Sequence, residues 1–404
     1  MKKTLAAAVV GMFPVLMLAD FVPISAPHYY GAKPGSLQKA KALIAAGDKD
    51  LNEALKGLVH DADKVLLETP PSVTEKPTLA PSHDRHDYMS LAPYFWPDPN
   101  KPNGLPYVRH DGKINPESRN PDVSDSPRIA HMSKCIETLA LAYYFTGNEA
   151  YAAHAAKFAR KWFIDPMTKM NPHFKYAQAI LGVNDGRDTG ILEARNIAIA
   201  ADSLGLLAGS KSWGALDQQD MNKWLATFYN WLMTSPAGKG EHAAKNNHGT
   251  WFDVQSARLA LCLGHNEVAS RIIRDAQRDR VALQIEKDGT QPMELARTAA
   301  FSYSWFNLSA LTELATLGEH AGVDLWHYST ADKRSIRGAI EFMVPFVDVP
   351  AKDWPYQQIK EKKEGDYLAV LHEAALAYGA PEFDAIVAKY PGASAMRFQL
   401  LFVK

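Results

Sequence analysis

The sequence predicts an all-α fold: an α/α toroid of about six or seven helical hairpins, with a long N-terminal arm over its cleft. Three observations carry this. Amphipathic helical patterns recur in pairs joined by short turns, strand-like alternation is scarce, and successive pairs begin roughly 50 to 60 residues apart, the spacing of stacked two-helix units. An open solenoid keeps a fixed period, whereas here the connections vary in length and several are rich in Gly, Pro, Asn and His. That irregularity favours closure into a ring.

Composition sets the outer bounds. A chain of 404 residues, 47% hydrophobic and 22% charged, can bury a large core. Its formal net charge is -1, from 44 basic and 45 acidic side chains, so no global field draws it to nucleic acid or to an anionic membrane. An anionic partner must be captured by a local basic site.

The first element is a targeting segment. Lys2 and Lys3 precede an apolar run from Leu5 to Leu18, and Ala19 and Ser25-Ala26 offer small residues for cleavage. Residues 1–26 are thus expected to be a signal peptide, residues 27–404 a single toroid domain, and the mature protein periplasmic or secreted. The run is broken by Gly11 and Pro14, and no later stretch is apolar for the roughly 20 residues a span needs, so no stable membrane insertion is expected after cleavage. The two cysteines, Cys135 and Cys262, sit in apolar helical patterns that favour buried thiols over a disulfide.

Two helices follow, around Ser36 to Ala46 and Lys49 to Leu67. Pro70, Pro71, Pro77 and Pro81 then forbid helix and open an extended arm running through His86-Asp87-Tyr88 and Trp96-Pro97-Asp98-Pro99 to Arg109-His110-Asp111. A loop so long is usually functional. Tyr88, Tyr94, Trp96 and Tyr107 have flat faces able to stack on sugar rings, although for any one of them taken singly packing onto the core is the better explanation.

Ser126-Pro127 is a helix start, and the helix runs to Phe145 before Gly147 and Asn148 end it. Ala150 to Trp162 returns beside it. The same layout pairs Arg187 to Leu207 with Asp220 to Met233, Trp251 to Leu263 with Asn266 to Ile285, Arg297 to Leu317 with Asp332 to Phe346, and Tyr367 to Tyr378 with Pro381 to Lys389.

Three connections on one rim hold polar residues beyond structural need. The first runs from Asn171-Pro172-His173 through Gln178 to Gly186-Arg187. The second is Asn246-Asn247-His248, where an Asn can cap the helix that carries Trp251 and Val254 and hold His248 in its first turn. The third is Glu294-Leu295-Ala296-Arg297, followed by Tyr303 about two helical turns after Arg297.

Asn-Asn-His before an aromatic, then Glu-Leu-x-Arg and a Tyr, resembles the alginate lyases of the α/α-toroid polysaccharide lyase class, including relatives that cleave glucuronan. The arm from His86 to Pro99 and the Gly186-Arg187 connection resemble the same domain, so the likeness spans about Leu79 to Ala310. It implies a lyase that cleaves a 1,4-linked polyuronate by β-elimination to 4,5-unsaturated products, with an acidic polysaccharide or oligosaccharide as partner and no cofactor.

That reaction removes the proton on C5 and expels the C4 oxygen. Donors must neutralise the carboxylate as charge builds, and Asn247 and Arg297 are of that type. A base and an acid are needed, and His248 and Tyr303 are candidates. With the C5 proton and leaving oxygen on one side of the ring, Tyr303 serves as both; on opposite sides, His248 is the base and Tyr303 the acid. Asn246, Arg187, Tyr88, Trp96 and Gln178 are expected to bind substrate.

Two other readings stand beside this one. Asp185, Asp188 and Glu193 can supply a carboxylate pair for glycoside hydrolysis, or can simply complement a helix start. A non-catalytic carbohydrate-binding protein needs only the aromatics and Arg. For metal, His83, His86, Asp84 and Asp87 offer ligands without a recognised metal spacing, and an apo enzyme is expected.

Overall fold

Local chemistry sets most helix ends. In a computed structural model, which describes residues 26 to 403 except 364 and 366, α1 (Ser36–Ala45) is followed by α2 (Lys49–Val65). The Asp48 carboxylate accepts the Leu51 N–H at 3.0 Å and so caps α2. The expected signal peptide lies almost wholly outside the described residues. α3 (Ser126–Thr146) opens with Pro127 in its first turn and stops at Gly147, whose φ of 70° suits glycine; Asn148 then caps α4 (Glu149–Ala159).

The ring continues with α5 (Arg195–Leu204), α6 (Ala215–Thr234), α7 (Pro236–His242) and α8 (Asn247–Cys262). Next come α9 (Asn266–Ala276), then α10 (Ala282–Gln284) beyond a π-helical turn, α11 (Pro292–Leu295), α12 (Ala300–Ala321) and α13 (Ile336–Met343). α14 (Leu368–Tyr378), α15 (Pro381–Val387) and α16 (Phe398–Leu401) complete the chain.

Helices α3, α5, α8, α12 and α14 neighbour one another in that order and form the inner ring. Their burial fits this place: α8 is buried at every residue from Gly249 to Leu261, whereas α9 outside it buries only Ala269, Ser270, Ile272, Ile273 and Ala276. α4, α9, α13 and α15 back α3, α8, α12 and α14. The C-terminal segment closes the ring on the N-terminal hairpin. Lys33 N–H donates to the Leu401 carbonyl, Val403 N–H to Ser36 Oγ, and Arg397 pairs with Glu137 of α3 at 2.7 Å. The architecture is the predicted α/α toroid.

Several expectations need correction. The segment 187–207 starts as a 3-10 helix over Asp188–Ala194, because Gly190 lies so close to Ala177 that a Cβ there would meet its carbonyl oxygen at 2.5 Å. α6 packs chiefly on α7, α8 and the turn after α4 rather than on α5. Arg297 precedes its helix: it lies in the link between the short α11, opened by Pro292, and α12, which starts only at Ala300.

The arm carries regular structure after all. β1 (Met89–Leu91) pairs in parallel with a later strand, β2 (Phe95–Trp96) pairs antiparallel with β3 (Val108–Arg109), and the partner of β1 is β4 (Tyr176–Ala179). A fully buried ion pair, Lys76 to Asp125 at 2.9 Å, pins its start, and Lys76 also donates to the Val73 and Asp87 carbonyls. Such a charge is tolerated inside only because every donor is matched. Both cysteines are free thiols, as the apolar patterns suggested. No helix among the described residues is long and apolar enough to cross a membrane.

Candidate active site

The first turn of α8 is clamped from both sides. Asn246 caps it, its Oδ1 accepting the His248 N–H at 3.3 Å. Gly249 admits the Ala244 carbonyl, which a Cβ would strike, and Arg280 ties Asp253 (2.8 Å) to the carbonyls of His242 and Ala244.

His248 is held in this turn with its side chain 19% exposed, and its Nδ1 lies 2.6 Å from Oε1 of Glu241 on α7, which is buried. A carboxylate at Nδ1 favours the tautomer with its proton there, which leaves Nε2 as the free base nitrogen. Burial raises the Glu241 pKa, and the hydrogen bond and charge of His248 pull it back.

Asn247 behaves otherwise than expected. It is 1% exposed, and its Nδ2 donates to both oxygens of Glu294 at 2.9 and 2.8 Å while its N–H donates to the same carboxylate at 2.7 Å. Its donors are therefore committed to Glu294 rather than aimed outward. Burial raises the Glu294 pKa and the Asn247 bonds oppose the rise. Glu294 sits in α11, three residues before Arg297, so this clamp fixes the α8 start against the connection that carries Arg297.

Arg297 meets Asp111 in a forked pair, at 2.8 and 3.2 Å, and Thr298 Oγ1 adds a bond of 3.0 Å to the same carboxylate. Burial would raise the Asp111 pKa, but the bonds and charge of Arg297 hold it well below the usual carboxylate range. The Arg297 guanidinium stacks 3.7 Å from the Tyr303 ring centre. The Tyr303 hydroxyl donates to the Tyr94 hydroxyl at 2.6 Å. Burial and Tyr94 push the phenol pKa up against the pull of Arg297, so Tyr303 rests as a protonated phenol.

A second basic group stands nearby. Arg187 donates from Nη2 to Gln178 Oε1 at 2.6 Å, lies 5.3 Å over the Phe95 ring and leaves its buried Nε without a partner. Burial lowers its pKa, opposed by Asp188, Glu193 and Glu241. Gln178 has a φ of 50°, uncommon for its type, and its N–H is held by Ser90 Oγ at 2.8 Å. Arg109, largely exposed, reaches the same Asp111 as Arg297 at 2.7 Å.

Each expected residue is thus held by its own partner: Asn247 by Glu294, His248 by Glu241, Arg297 by Asp111 and Tyr303 by Tyr94. Among the expected binding residues, Trp96 is half-buried with its indole N–H on the Lys113 carbonyl, and Asn246 is half-buried at the cap. Tyr88 is a correction: it is 0% exposed, its ring packs on Phe174, and its hydroxyl donates to Glu193, so it offers no face to a sugar. Gln178 is 6% exposed and orients Arg187. Glu193, the inner carboxylate of the hydrolase reading, accepts bonds from Tyr88, Ser90 and Gln178. His86 and Asp87 are likewise occupied, by the Lys169 carbonyl and by Ser82, Asn171 and His173. Of the partners whose roles the sequence reading missed, Glu294 lay within the Glu-Leu-x-Arg string and Asp111 within the arm, Tyr94 was marked only as a stacking aromatic, and Glu241 had no signal.

A closed α/α ring bearing a carboxylate-oriented imidazole, an arginine-stacked phenol and further guanidinium groups has the parts of a polysaccharide lyase. The comparisons with known proteins place it more closely. The alginate lyase family model matches residues 72–354, and the chain belongs to that family. An alginate lyase structure from Bacteroides ovatus is 39% identical, with a TM-score of 0.88 over 93% of this chain and 99% of that one. Alginate lyase A1-III from Sphingomonas species A1 is similar in fold at 18% identity, with a TM-score of 0.60 over 95% of this chain and 99% of its own. A variant of A1-III complexed with a tetrasaccharide gives 0.62 at the same identity. Among curated proteins none matches in sequence.

Proposed function

We propose that this lyase cleaves a 1,4-linked polyuronate, alginate or glucuronan, by β-elimination, with Arg297, Tyr303 and His248 at the reacting sugar. The observation that carries the reading is the Arg297–Tyr303 stack, which sets a fixed cation against an acid-base phenol. The C5 proton is acidic only if its carboxylate is neutralised, and Arg187 and Arg297 are the guanidinium groups available for that. Asn247 supports them by holding Glu294 and the Arg297 connection in place.

The protonated Tyr303 is suited to deliver its proton to the leaving C4 oxygen, and His248 Nε2 is suited to take the C5 proton from the opposite face. For a uronate with both groups on one face, Tyr303 must first ionise, and Arg297 favours its phenolate. Trp96 is proposed as a stacking surface, and Asn246 as a lesser contact. Export to the periplasm or beyond belongs to the same reading, supported by Lys2-Lys3 and the apolar run behind them. The tetrasaccharide bound by the A1-III variant supports a chain-like substrate.

The test is a panel of mannuronate-rich and guluronate-rich alginate and glucuronan, read by the ultraviolet absorbance of the conjugated product and by mass. Products with the mass of the unsaturated species support elimination. Saturated products that have gained water would overturn it.

A further inference from the structure

We propose that Glu68, His131 and Cys135 form a binding site for a zinc-like divalent cation, separate from the catalytic network and serving to staple α2 to α3. His131 and Cys135 lie four residues apart on α3 and so share one face, and Glu68 follows the end of α2. The Cys135 Sγ is 3.5 Å from His131 Nε2 and 3.9 Å from Glu68 Oε2, and those two atoms are 2.5 Å apart. All three ligand atoms lie within 4.8 Å of one another, and among the described residues no other such group of three is found.

These distances nearly fit a tetrahedral ion. Zinc bonds of about 2.3 Å to sulfur and about 2.0 to 2.2 Å to nitrogen and oxygen give ligand-to-ligand edges of about 3.3 to 3.6 Å. The sulfur edges are already near that size. Only the His131–Glu68 edge must open, by about 1 Å on the same zinc geometry. Both side chains can swing, being 47% and 38% exposed. The backbone of Glu68 is anchored meanwhile, because His154 of α4 holds its carbonyl at 3.0 Å. Cys135 is buried and fixed within the helix.

The donor set selects the ion. Thiolate, imidazole and carboxylate together favour zinc over magnesium or calcium, which prefer oxygen ligands, and three protein ligands leave a fourth position for water. Binding replaces the His131–Glu68 hydrogen bond, moves the ring proton to Nδ1, and releases the Cys135 thiol proton to solvent. Thiolate and carboxylate then balance the two charges of the ion. Burial and the Glu68 charge raise the thiol pKa to about 12, so metal must compete with that proton and affinity rises with pH. The chain has no other cross-link at this place, since both its cysteines are free.

The test uses reduced, metal-stripped full-length mature protein titrated with cobalt(II) as a spectroscopic probe and zinc(II) as competitor. One cobalt per chain is expected, with a sulfur-to-cobalt charge-transfer band that zinc abolishes. Zinc at a hundredfold over its Kd should raise the unfolding midpoint by roughly 3 to 5 °C, and magnesium should not. His131→Gln and Cys135→Ser should each remove the band and the shift, and His131→Gln should keep its lyase activity. Because Cys135 is buried, the serine variant can fail to fold; the exposed His131→Gln then decides. A missing charge-transfer band in the wild type, or a band and shift that survive His131→Gln, would overturn the site.

Discussion

The guanidinium of Arg297 lies 3.7 Å from the centre of the Tyr303 ring, while Asp111 grips the same guanidinium at 2.8 Å. One cation therefore serves two partners, and its place is set by a residue 186 positions earlier in the chain. The arm that supplies Asp111 also supplies Tyr94, which receives the Tyr303 proton-bearing hydroxyl. It is part of the site's construction rather than a cover laid over it.

Tyr303→Phe keeps the ring under Arg297 and removes only the hydroxyl. Turnover should fall by about 10² to 10⁴ while KM changes little, because the lost interaction belongs to the transition state. The unfolding midpoint should stay near that of the wild type. Steady-state rates on the best substrate check this, and near wild-type turnover would remove Tyr303 from the mechanism.

Asp111→Asn leaves the shape but halves the grip on Arg297. A neutral amide cannot match the forked charge pair, so the guanidinium gains freedom and loses its fixed distance to the phenol. A loss of about tenfold in kcat/KM is expected, on the order of 1.4 kcal/mol of transition-state stabilisation. If Asp111→Asn were as active as wild type while Arg297→Ala was inactive, the pair would be dispensable.

His248 and Glu241 should lose activity together but unequally. His248→Ala removes the base nitrogen, with an expected cost of about 10² to 10⁴ on a uronate whose C5 proton faces away from Tyr303, and a small one on its epimer. Glu241→Gln keeps the ring in place but no longer favours the tautomer with a free Nε2, so a loss of about 10 to 10² is expected on the same substrate. Equal losses from His248→Ala on all uronates would assign the imidazole a binding role instead.

How much of this was legible in the sequence depended on distance along the chain. The starts at Lys49 and Ser126 were legible because caps and prolines act within one turn. The start after Arg187 was not, because the approach of Gly190 to Ala177 is a tertiary fact. The same limit explains the site. Residue types suited to acid, base and donor roles marked Asn247, His248, Arg297 and Tyr303, but not where their hydrogen bonds would go. Asn247 finds Glu294 47 residues on, and no local pattern announces that. Tyr88 and Trp96 looked alike in the arm, yet the β1–β4 pairing carries Tyr88 inward and the β2–β3 hairpin keeps Trp96 at the surface.

The inner ring makes a pH prediction. Burial, with Glu313 close by, raises Glu373 of α14 from the ordinary value of 4.5 to about 8, against smaller pulls from Thr312 and Arg258. The residue keeps some accessible surface, but its Oε2 is sealed from solvent without a partner, which is what favours the neutral acid. A folded pKa above the unfolded one means that this stability is fully present below pH 4.5 and is lost as pH rises through about 8. The full shift corresponds to no more than about 5 kcal/mol, and to less because part of the residue meets water. Glu373→Gln mimics the neutral acid at every pH. Chemical unfolding from pH 5 to 9 should show the wild type losing stability relative to Glu373→Gln steadily from pH 5 to about 8, with the curves closest at pH 5 and their separation level above 8. Parallel curves throughout would mean that Glu373 is ionised in the folded ring, and that water or Arg258 solvates its charge.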